Sequence, residues 1–445
     1  MPMSSHLDPH LVALLGNHLP TGPARILEIG CGTGQMGALA KARDPRLIWH
    51  GIELDPAPAW QAKSRLDRLF TLDIERDGPP DLDAPYDCIL LNDTLTRLED
   101  PLACLTRLRP WLQPHGHLLA LFPNTQHHAT LAGLLFGEFP PRDPERATAT
   151  TRHRFTFASA IRLLLDAGLL PLLAEAHLDK PDDGLILALQ HAFNHVKMDP
   201  MRGVYYLSAS HYLFKGLINP TFPDPATPPA PLSFIVPTNQ PTILKENFLA
   251  SPIFQGHHPH QIILLEGEPS AASAIENGLR QARHDHVVYA HQDLYLPAGW
   301  DRQYLAGVAQ ARALDPHAGV FGVYGVATHP GGEQHHGVVV DRHWLRVSGG
   351  PFPAEVHSFD ELLIGFDRQG FPGTDPRLGY HLYGTDIVCG YRERGMSARA
   401  LHAPCFHNSG LGLANPPELL RSAEIFRQSN RKPYFPLATT CLRFE

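Results

Sequence analysis

Three glycines with alternate spacing are the residues of this 445-residue chain that most clearly indicate chemistry. Gly30, Gly32 and Gly34 follow the strand-like run 25–29. Because glycine has no Cβ, the backbone at these positions can approach a ligand closely and adopt left-handed turns. Glu53 ends the next apolar run, about 20 residues further on, where an acid of dinucleotide-binding folds accepts hydrogen bonds from ribose hydroxyls. The spacing predicts a strand, a nucleotide-binding turn and a helix, in that order.

The form of the turn narrows the choice of nucleotide. Residues 28–34 have the pattern Glu-x-Gly-x-Gly-x-Gly, which differs from the Gly-x-Gly-x-x-Gly of the NAD fingerprint. The pattern resembles motif I of the class I S-adenosylmethionine (SAM)-dependent methyltransferases. Residues 71–74 and 86–101 resemble that family's later strand ends, in the family's order. A turn that needs glycine only for packing is the alternative. The resemblance implies a SAM site made of Glu28, Gly30, Cys31, Gly32, Gly34, Glu53, Asp73, Ile74 and Asn92.

A further set of blocks concerns the methyl acceptor. Residues 122–128, 134–137 and 153–156 resemble a methyltransferase branch whose members often accompany polysaccharide-building glycosyltransferases. Methylation of a hydroxyl requires removal of a proton, and the resemblance makes His153 the candidate base or acceptor contact. The alternative is that His153 caps the helix that is predicted to begin near Phe157.

An acid in the second half of the chain indicates a different chemistry. Asp293 follows the apolar run 286–290, and an acid at the carboxyl end of a strand lies where open α/β sheets bind ligands. Mn²⁺ and Mg²⁺ prefer oxygen ligands and bridge phosphate oxygens. Residues 291–300, His-Gln-Asp followed by Leu-Tyr-Leu-Pro-Ala-Gly-Trp, resemble a branch of the inverting family 2 glycosyltransferases with the A-type nucleotide-sugar (GT-A) fold.

The same resemblance assigns expected roles to later residues. Asp386 corresponds to the catalytic base at a helix start, and His407 to the histidine that reaches the metal or the diphosphate. Residues 356–363 resemble the strand and acidic pair that line the sugar pocket. The implied cofactor is Mn²⁺ or Mg²⁺ held by Asp293 and His407, with a nucleotide sugar as donor. The alternatives are a loop acid for Asp293, a helix cap for Asp386 and a core histidine for His407.

Composition excludes several function classes. A net charge of −8 and a pI near 6.4 argue against a general nucleic-acid binder, which is normally basic. No apolar run approaches the roughly 18 residues of a membrane span, and residues 1–6 lack the features of a signal peptide. The six cysteines form no Cys-x-x-Cys pair, which predicts free, largely buried thiols in a reducing cytoplasm. Most of the 28 histidines are expected to lie on the surface.

The positions of these residues require an α/β architecture with two domains. Residues 1–191 alternate strand and helix patterns, which predicts a Rossmann-like seven-stranded sheet. Residues 169–176 and 184–190 are expected to form the antiparallel pair that closes it.

The second half is also predicted to be α/β, but it shares no motif with the first half. The proline-rich segment 192–231 is predicted to be a semi-rigid linker. Residues 232–415 are predicted to form the GT-A-like domain, and residues 416–445 a C-terminal tail.

These features predict a bifunctional transferase. It would methylate, at oxygen, and glycosylate one glycan or glycosylated acceptor, because fusion raises the local concentration of a shared intermediate. Small-molecule donors and that acceptor are the expected partners, without nucleic acid. One alternative is an active methyltransferase with a non-catalytic glycan-binding C-terminal module. Another is a glycosyltransferase preceded by an inactive cofactor-binding scaffold.

Overall fold

The computed structural model describes residues 9–77, 85–138, 151–181, 183–195, 199–224, 227–341, 344–348, 350–409, 415–431 and 434–445. These residues form two compact units that divide between Pro220 and Thr221, and the second unit also contains the described residues from 415 onward. Residues 1–6, in which no signal peptide is expected, lie outside the described residues.

The described residues of the N-terminal unit form seven strands and eight helices. Strands β1–β7 are Ala24–Ile29, Leu47–Glu53, Arg68–Thr71, Tyr86–Asn92, Leu112–Pro123, Leu169–Leu178 and Ala209–Ile218. Helices α1–α8 are Pro9–His18, Gln35–Arg43, Pro56–Ala62, Pro101–Leu108, His128–Leu135, Phe157–Asp166, Asp183–His195 and Pro200–Ser208.

The seven strands form one sheet in the order β3-β2-β1-β4-β5-β7-β6. All neighbours are parallel except β7, which is antiparallel to both β5 and β6. The carboxyl ends of β1, β2, β4, β5 and β6 therefore meet at one edge, called here the carboxyl edge, where β7 begins. This arrangement confirms the predicted Rossmann-like α/β sheet of seven strands.

The prediction of a closing strand at 184–190 is wrong. Those residues lie in helix α7, and the strand that pairs with β6 is β7, at Ala209–Ile218. A short apolar run does not separate strand from helix by periodicity, and leucine and alanine favour the helix here.

The predicted linker 192–231 also differs from the structure. Helix α8 and the whole of β7 lie inside it, and Tyr212, Leu213 and Phe214 of β7 are buried. Proline is concentrated from residue 220 onward, so it does not interrupt β7.

The described residues of the second unit form fifteen strands and five α-helices. Strands β8–β22 are Ser233–Thr238, Gln261–Glu266, His286–Ala290, Leu294–Tyr295, Ala318–Gly322, Tyr324–His329, Gly332–Asp341, Trp344–Ser348, Ala354–Val356, Ser358–Phe359, Leu363–Asp367, Ser397–Ala400, Cys405–His407, Leu437–Ala438 and Arg443–Phe444. Helices α9–α13 are Pro241–Glu246, Ala271–Gln281, Trp300–Leu314, Tyr383–Glu393 and Pro417–Arg427.

The main sheet of the second unit is mixed. Its order is β16-β19-β12-β18-β10-β8-β9, and β18 is antiparallel to both β10 and β12. The start of β18 therefore lies at the carboxyl end of β10. A second sheet has the order β11-β20-β14-β13-β17, with β15 paired to β14. The α/β class predicted for this half is confirmed, whereas its GT-A identity remains a prediction.

The segment predicted to be a C-terminal tail packs into the second unit. Leu419 and Phe426 of α13 and Phe444 of β22 belong to one buried apolar cluster with Leu382 and Cys389. The amphipathic pattern of 417–427 places these side chains on one helix face. The described residues from 416 onward are therefore part of a folded core.

Two further expectations concern the cysteines and the membrane-span length of the helices. All six cysteines are free thiols, five of them buried and Cys441 exposed. Among the described residues, no helix combines the length and apolar composition needed to cross a bilayer.

Candidate functional site

The glycine turn after β1 has the backbone geometry that its residues predict. Gly30, Gly32 and Gly34 have φ angles of 71°, 53° and 73°, which favour glycine. A Cβ on Gly30 would lie 3.0 Å from Thr94 Oγ1, and one on Gly34 would lie 3.1 Å from Ala62. A Cβ on Gly32 would meet no atom within 4 Å. Two glycines thus allow close packing, whereas Gly32 borders open space that a ligand can fill.

Glu53 lies directly against this turn. Its Oε2 accepts a hydrogen bond from the Gly32 N–H at 2.7 Å, and its Oε1 accepts one from the Asp55 N–H at 2.9 Å. The side chain is half-buried. Each carboxylate oxygen has a second lone pair, so Glu53 retains the capacity to accept bonds from two vicinal hydroxyls.

Glu28 lies beneath the turn and is 3% exposed. It accepts a hydrogen bond from Trp49 Nε1 at 3.0 Å, and burial raises its pKa to about 8. The thiol of Cys31 packs against Gly51, and burial raises its pKa. The Cys31 N–H donates to the carbonyl of Ile52 at 3.1 Å. Both residues therefore support the turn from inside the unit.

Asp73 and Ile74 follow β3 at the same carboxyl edge. The Asp73 carboxylate accepts a hydrogen bond from the Glu75 N–H at 2.9 Å and is half-buried, while Ile74 is buried. Asn92 ends β4 and is half-buried. Thr94 was not predicted: its hydroxyl donates to the Ile29 carbonyl at 2.7 Å and so links the ends of β1 and β4.

His153 lies on a segment that crosses the carboxyl edge. Its N–H donates to the Thr96 carbonyl at 2.9 Å, and Nε2 is 3.2 Å from the Glu99 carbonyl oxygen. The helix that begins at Phe157 is capped by Thr156, whose hydroxyl accepts from the Ser159 N–H. The alternative that His153 caps this helix is therefore wrong.

Sequence reasoning missed a histidine–carboxylate cluster at this edge. His127 Nε2 is 3.1 Å from Asp179 Oδ2, and His177 Nδ1 is 3.6 Å from Asp179 Oδ1. His177 Nδ1 also lies 2.8 Å from the Ser210 hydroxyl. His127 follows β5, His177 and Asp179 lie at the end of β6, and Ser210 lies at the start of β7. Their proximity could have been predicted only from knowing that these strand ends meet at one edge.

In the second unit, three side chains that are far apart in the chain meet beyond β10. His291, Asp293 and His407 each offer a ligand atom within 4.8 Å of the others, and no other such group of three or more exists among the described residues. His407 lies in β20, which pairs with Leu294 of β11. The predicted pair Asp293 and His407 is thus brought together, with Nε2 and Oδ1 3.4 Å apart, and His291 joins it.

Hydrogen bonds orient the two histidines of this group. The Tyr383 hydroxyl donates to the Glu361 carbonyl at 2.6 Å and lies 3.1 Å from His291 Nε2. It therefore accepts from the Nε2–H of His291, which leaves the Nδ1 lone pair towards Asp293. Asp341 lies 3.1 Å from His407 Nδ1, the carboxylate–histidine arrangement that orients metal ligands.

The electrostatics of the cluster also suit a cation. Burial alone would lower the pKa of His407, but Asp293 and Asp341 raise it to about 10. Burial lowers the pKa of His291 to about 4, so that its imidazole is neutral. His407 keeps the pKa of Asp293 below its usual range despite burial. A proton on His407 thus balances the carboxylates, and a bound cation would release it.

Asp386 and Glu361 both lie near the start of α12, in different environments. Asp386 accepts hydrogen bonds from the Thr374 hydroxyl at 2.8 Å and the Arg431 Nε at 2.6 Å, and is 3% exposed. Glu361 is half-buried, and the N–H groups of Leu382 and Gly384 act to lower the pKa of its carboxyl. Burial and then Asp360 raise the pKa of Glu361 to about 8.

Comparisons with known proteins concern the N-terminal part of the chain. Residues 6–169 match the family model described as a methyltransferase domain. The biotin biosynthesis bifunctional protein BioCD of Bordetella avium is 34% identical over 173 residues, which cover 38% of this chain and 34% of that protein. The trans-aconitate 2-methyltransferase of Deinococcus radiodurans is 32% identical over 113 residues, covering 25% of this chain and 43% of that enzyme.

The chain therefore spans less than half the length of these curated relatives. Among solved structures, a SAM-dependent methyltransferase of Thermotoga maritima, described as a possible histamine N-methyltransferase, is 16% identical with a TM-score of 0.33. The alignment covers 46% of this chain and 86% of that one. The family match and the sheet order together identify a class I SAM-dependent methyltransferase domain in the N-terminal part.

Proposed function

We propose that the N-terminal unit binds SAM and transfers its methyl group to an oxygen atom of a glycan or glycosylated acceptor. The observation that carries the SAM site is Glu53 bonded to the Gly32 N–H at 2.7 Å, beside the open space in front of Gly32. The oxygen acceptor rests on the family resemblance of residues 122–128, 134–137 and 153–156. This geometry suits a ribose whose hydroxyls face the carboxylate and whose ring approaches the backbone.

Each residue then has a defined task. SAM supplies an activated methyl group. The glycine turn and Glu53 would hold its ribose and Asp73 and Ile74 would contact the adenine, while Asn92 ends β4 at the same edge. His153 is the proposed base for the acceptor hydroxyl, because it lies on the segment that crosses the carboxyl edge. Alignment of acceptor and donor and the removal of this proton are what the protein itself contributes.

Calorimetric titration with S-adenosylhomocysteine tests the cofactor site. Glu53→Ala is expected to weaken binding by about 10-fold to 100-fold, since hydrogen bonds to a charged acceptor contribute about 1.5–3 kcal/mol. Asp183→Ala, at a side chain that is 87% exposed, is the control and should bind as the wild type does. Equal affinity of Glu53→Ala and the wild type would remove the basis of the assignment.

A specific observation favours a second function, inverting glycosyl transfer from a nucleotide sugar by the second unit. His291, Asp293 and His407 form a candidate cation site at the carboxyl end of β10, where open sheets bind ligands. Mn²⁺ or Mg²⁺ there would neutralise the departing diphosphate. Asp386 is the base that the family resemblance implies. A non-catalytic glycan-binding module is the alternative.

Manganese titration and nucleotide-sugar turnover separate these two functions. Asp293→Ala should abolish both Mn²⁺ binding and transfer, whereas Glu246→Ala, at an exposed position, should change neither. Glycan binding by a wild type that neither binds Mn²⁺ nor releases nucleoside diphosphate would favour the binding module.

Both activities are proposed to act on one acceptor. The acceptor methylated by the wild type is offered to it with a nucleotide sugar, and product masses are measured. Products that carry both modifications support the coupling, and strictly separate acceptors contradict it.

A further inference from the structure

We infer that Glu361, two residues before β18, is the general base that takes the proton of the acceptor hydroxyl in the second unit. The inference rests on the proposed glycosyl transfer. It gives Glu361 the role that the family resemblance implies for Asp386.

The sheet topology places Glu361 beside the candidate cation site. β18 is antiparallel to β10, with Leu363 opposite Ala290, so Glu361 and Leu362, which precede β18, lie at the edge where His291 follows β10. The His291 N–H donates to the Leu362 carbonyl at 3.0 Å. The Tyr383 hydroxyl links the Glu361 carbonyl to His291 Nε2, at 2.6 and 3.1 Å. The chain at Glu361 is thus held against the cation site by two hydrogen-bonded connections.

The backbone opposite Glu361 is shaped to receive its carboxylate. Leu382, which precedes α12, has a φ of 61°, a conformation that costs a non-glycine residue about 1–2 kcal/mol. The N–H groups of Leu382 and Gly384 act against the rise in the pKa of Glu361, and a Cβ on Gly384 would lie 3.2 Å from Glu361 Cγ. Strain of this kind persists where the surrounding structure maintains it, often at functional sites. The start of α12 therefore lies directly against the Glu361 side chain.

The environment of Glu361 also suits proton transfer. Glu361 follows Asp360 and is half-buried as a residue. Burial and then Asp360 raise the pKa of its carboxyl to about 8, near the working pH at which a general base is most effective.

Asp386 has the opposite environment. Its carboxylate is 3% exposed, and Thr374, the Asp375 N–H and Arg431 all donate to it. The bond from Arg431 Nε measures 2.6 Å. These contacts connect α12 to the segment before it and to the segment after α13. Asp386 therefore acts as a structural anchor.

The chemical step balances without any further reactant. The acceptor O–H bond breaks and its proton moves to a Glu361 carboxylate oxygen. The freed electron pair forms the new bond from the acceptor oxygen to the anomeric carbon. The bond from that carbon to the diphosphate oxygen breaks, and its electron pair leaves with the nucleoside diphosphate.

Substitutions at the two acids test the assignment in the full-length protein. Turnover is followed as nucleoside diphosphate release from UDP-glucose, UDP-galactose, UDP-N-acetylglucosamine, GDP-mannose and dTDP-rhamnose, with Mn²⁺ and octyl glycosides as acceptors. Glu361→Gln keeps the size of the side chain and one acceptor oxygen, but the amide cannot take a proton. It should lower kcat by about 10²–10⁴-fold, with the donor KM and the Mn²⁺ Kd changed by less than about threefold.

A second variant, Glu361→Ala, distinguishes a general base from a side chain that only caps α12. Sodium formate should restore turnover to Glu361→Ala, because a free carboxylate can replace a missing base but cannot repair a packing defect. Asp386→Asn should mainly lower the melting temperature.

Two results would overturn the inference without touching the proposed function. One is turnover of Glu361→Gln within about threefold of the wild type. The other is a loss of turnover in Asp386→Asn at an unchanged melting temperature. A wild type that turns over none of the five donors and binds no Mn²⁺ would overturn both proposals together.

Discussion

The two candidate sites of this protein are built in opposite ways. The site of the N-terminal unit is mainly backbone: a turn with three glycines and the carboxylate of Glu53, all within residues 30–53. The site of the second unit is made of side chains, since His291 and Asp293 meet His407 more than a hundred residues later. A local site depends on the conformation of one turn, whereas a distributed site depends on the packing of the whole unit.

The largest expected effect concerns the anchoring of the distributed site. Asp386→Ala leaves the Arg431 guanidinium, whose side chain is 15% exposed, without one of its carboxylates. Breaking a buried ion pair by removing one partner costs about 3–5 kcal/mol. We expect the free energy of unfolding of the second unit, measured by urea denaturation, to fall by about this amount.

In the same experiment, the urea concentration at which the N-terminal unit unfolds should not change. This unit is therefore the internal control. A variant as stable as the wild type would contradict the anchoring role of Asp386.

The next effect concerns Asp293, a proposed ligand of the candidate cation site. Asp293→Asn keeps the shape of the side chain but removes its charge, and we expect Mn²⁺ affinity to fall by more than about 100-fold, since even residues behind the ligands change affinity by 10-fold to 100-fold. Calorimetry with Mn²⁺ measures this. The affinity of the same variant for S-adenosylhomocysteine should not change, because the cofactor site is formed by other residues. A loss of both affinities would mean that the variant is misfolded.

The third effect separates the two uses of glycine in the turn. Gly32→Ala introduces a Cβ into open space at a φ of 53°, so we expect weaker S-adenosylhomocysteine binding and a loss of about 1–2 kcal/mol of stability. Gly137→Ala is the matched control, because its φ is 77° and its Cβ would also meet no atom within 4 Å. It should lose similar stability and no affinity. Equal affinity losses in both variants would attribute the effect to strain alone.

The smallest effect distinguishes a site residue from a structural neighbour. Thr156→Ala removes the N-cap of α6 and should lower the stability of the N-terminal unit by about 1 kcal/mol. His153→Gln should change stability less than Thr156→Ala does, because the half-exposed His153 ring lies 3.2 Å from the Glu99 carbonyl oxygen and 6.4 Å from the Phe155 ring, and it should lower methyl transfer. Thermal unfolding and a methylation assay on the two variants measure this difference. Unchanged methyl transfer in His153→Gln would exclude His153 as the base.

The missed features of the fold have physical reasons. The run 184–190 was predicted to be a strand and is helical, because a short apolar segment has no clear period. Strand β7 lies within the predicted linker and yet occupies an interior position in the sheet. Its position depends on pairing with β5 and β6, whose residues are distant in the chain. The composition of the segment itself does not predict this pairing.

By itself, the sequence determined the turn after β1 and the family of the N-terminal unit, because glycines, a following strand and a terminal acid interact over about 20 residues. It also predicted a cation site at Asp293 and His407 and a base at Asp386 in the second half. Only the tertiary structure decided which residues meet: His291 with Asp293 and His407, Asp386 with Arg431, and Glu361 with the start of α12. Contacts between residues far apart in the chain depend on how strands and helices pack, and burial and neighbouring charge then determine the pKa of each group.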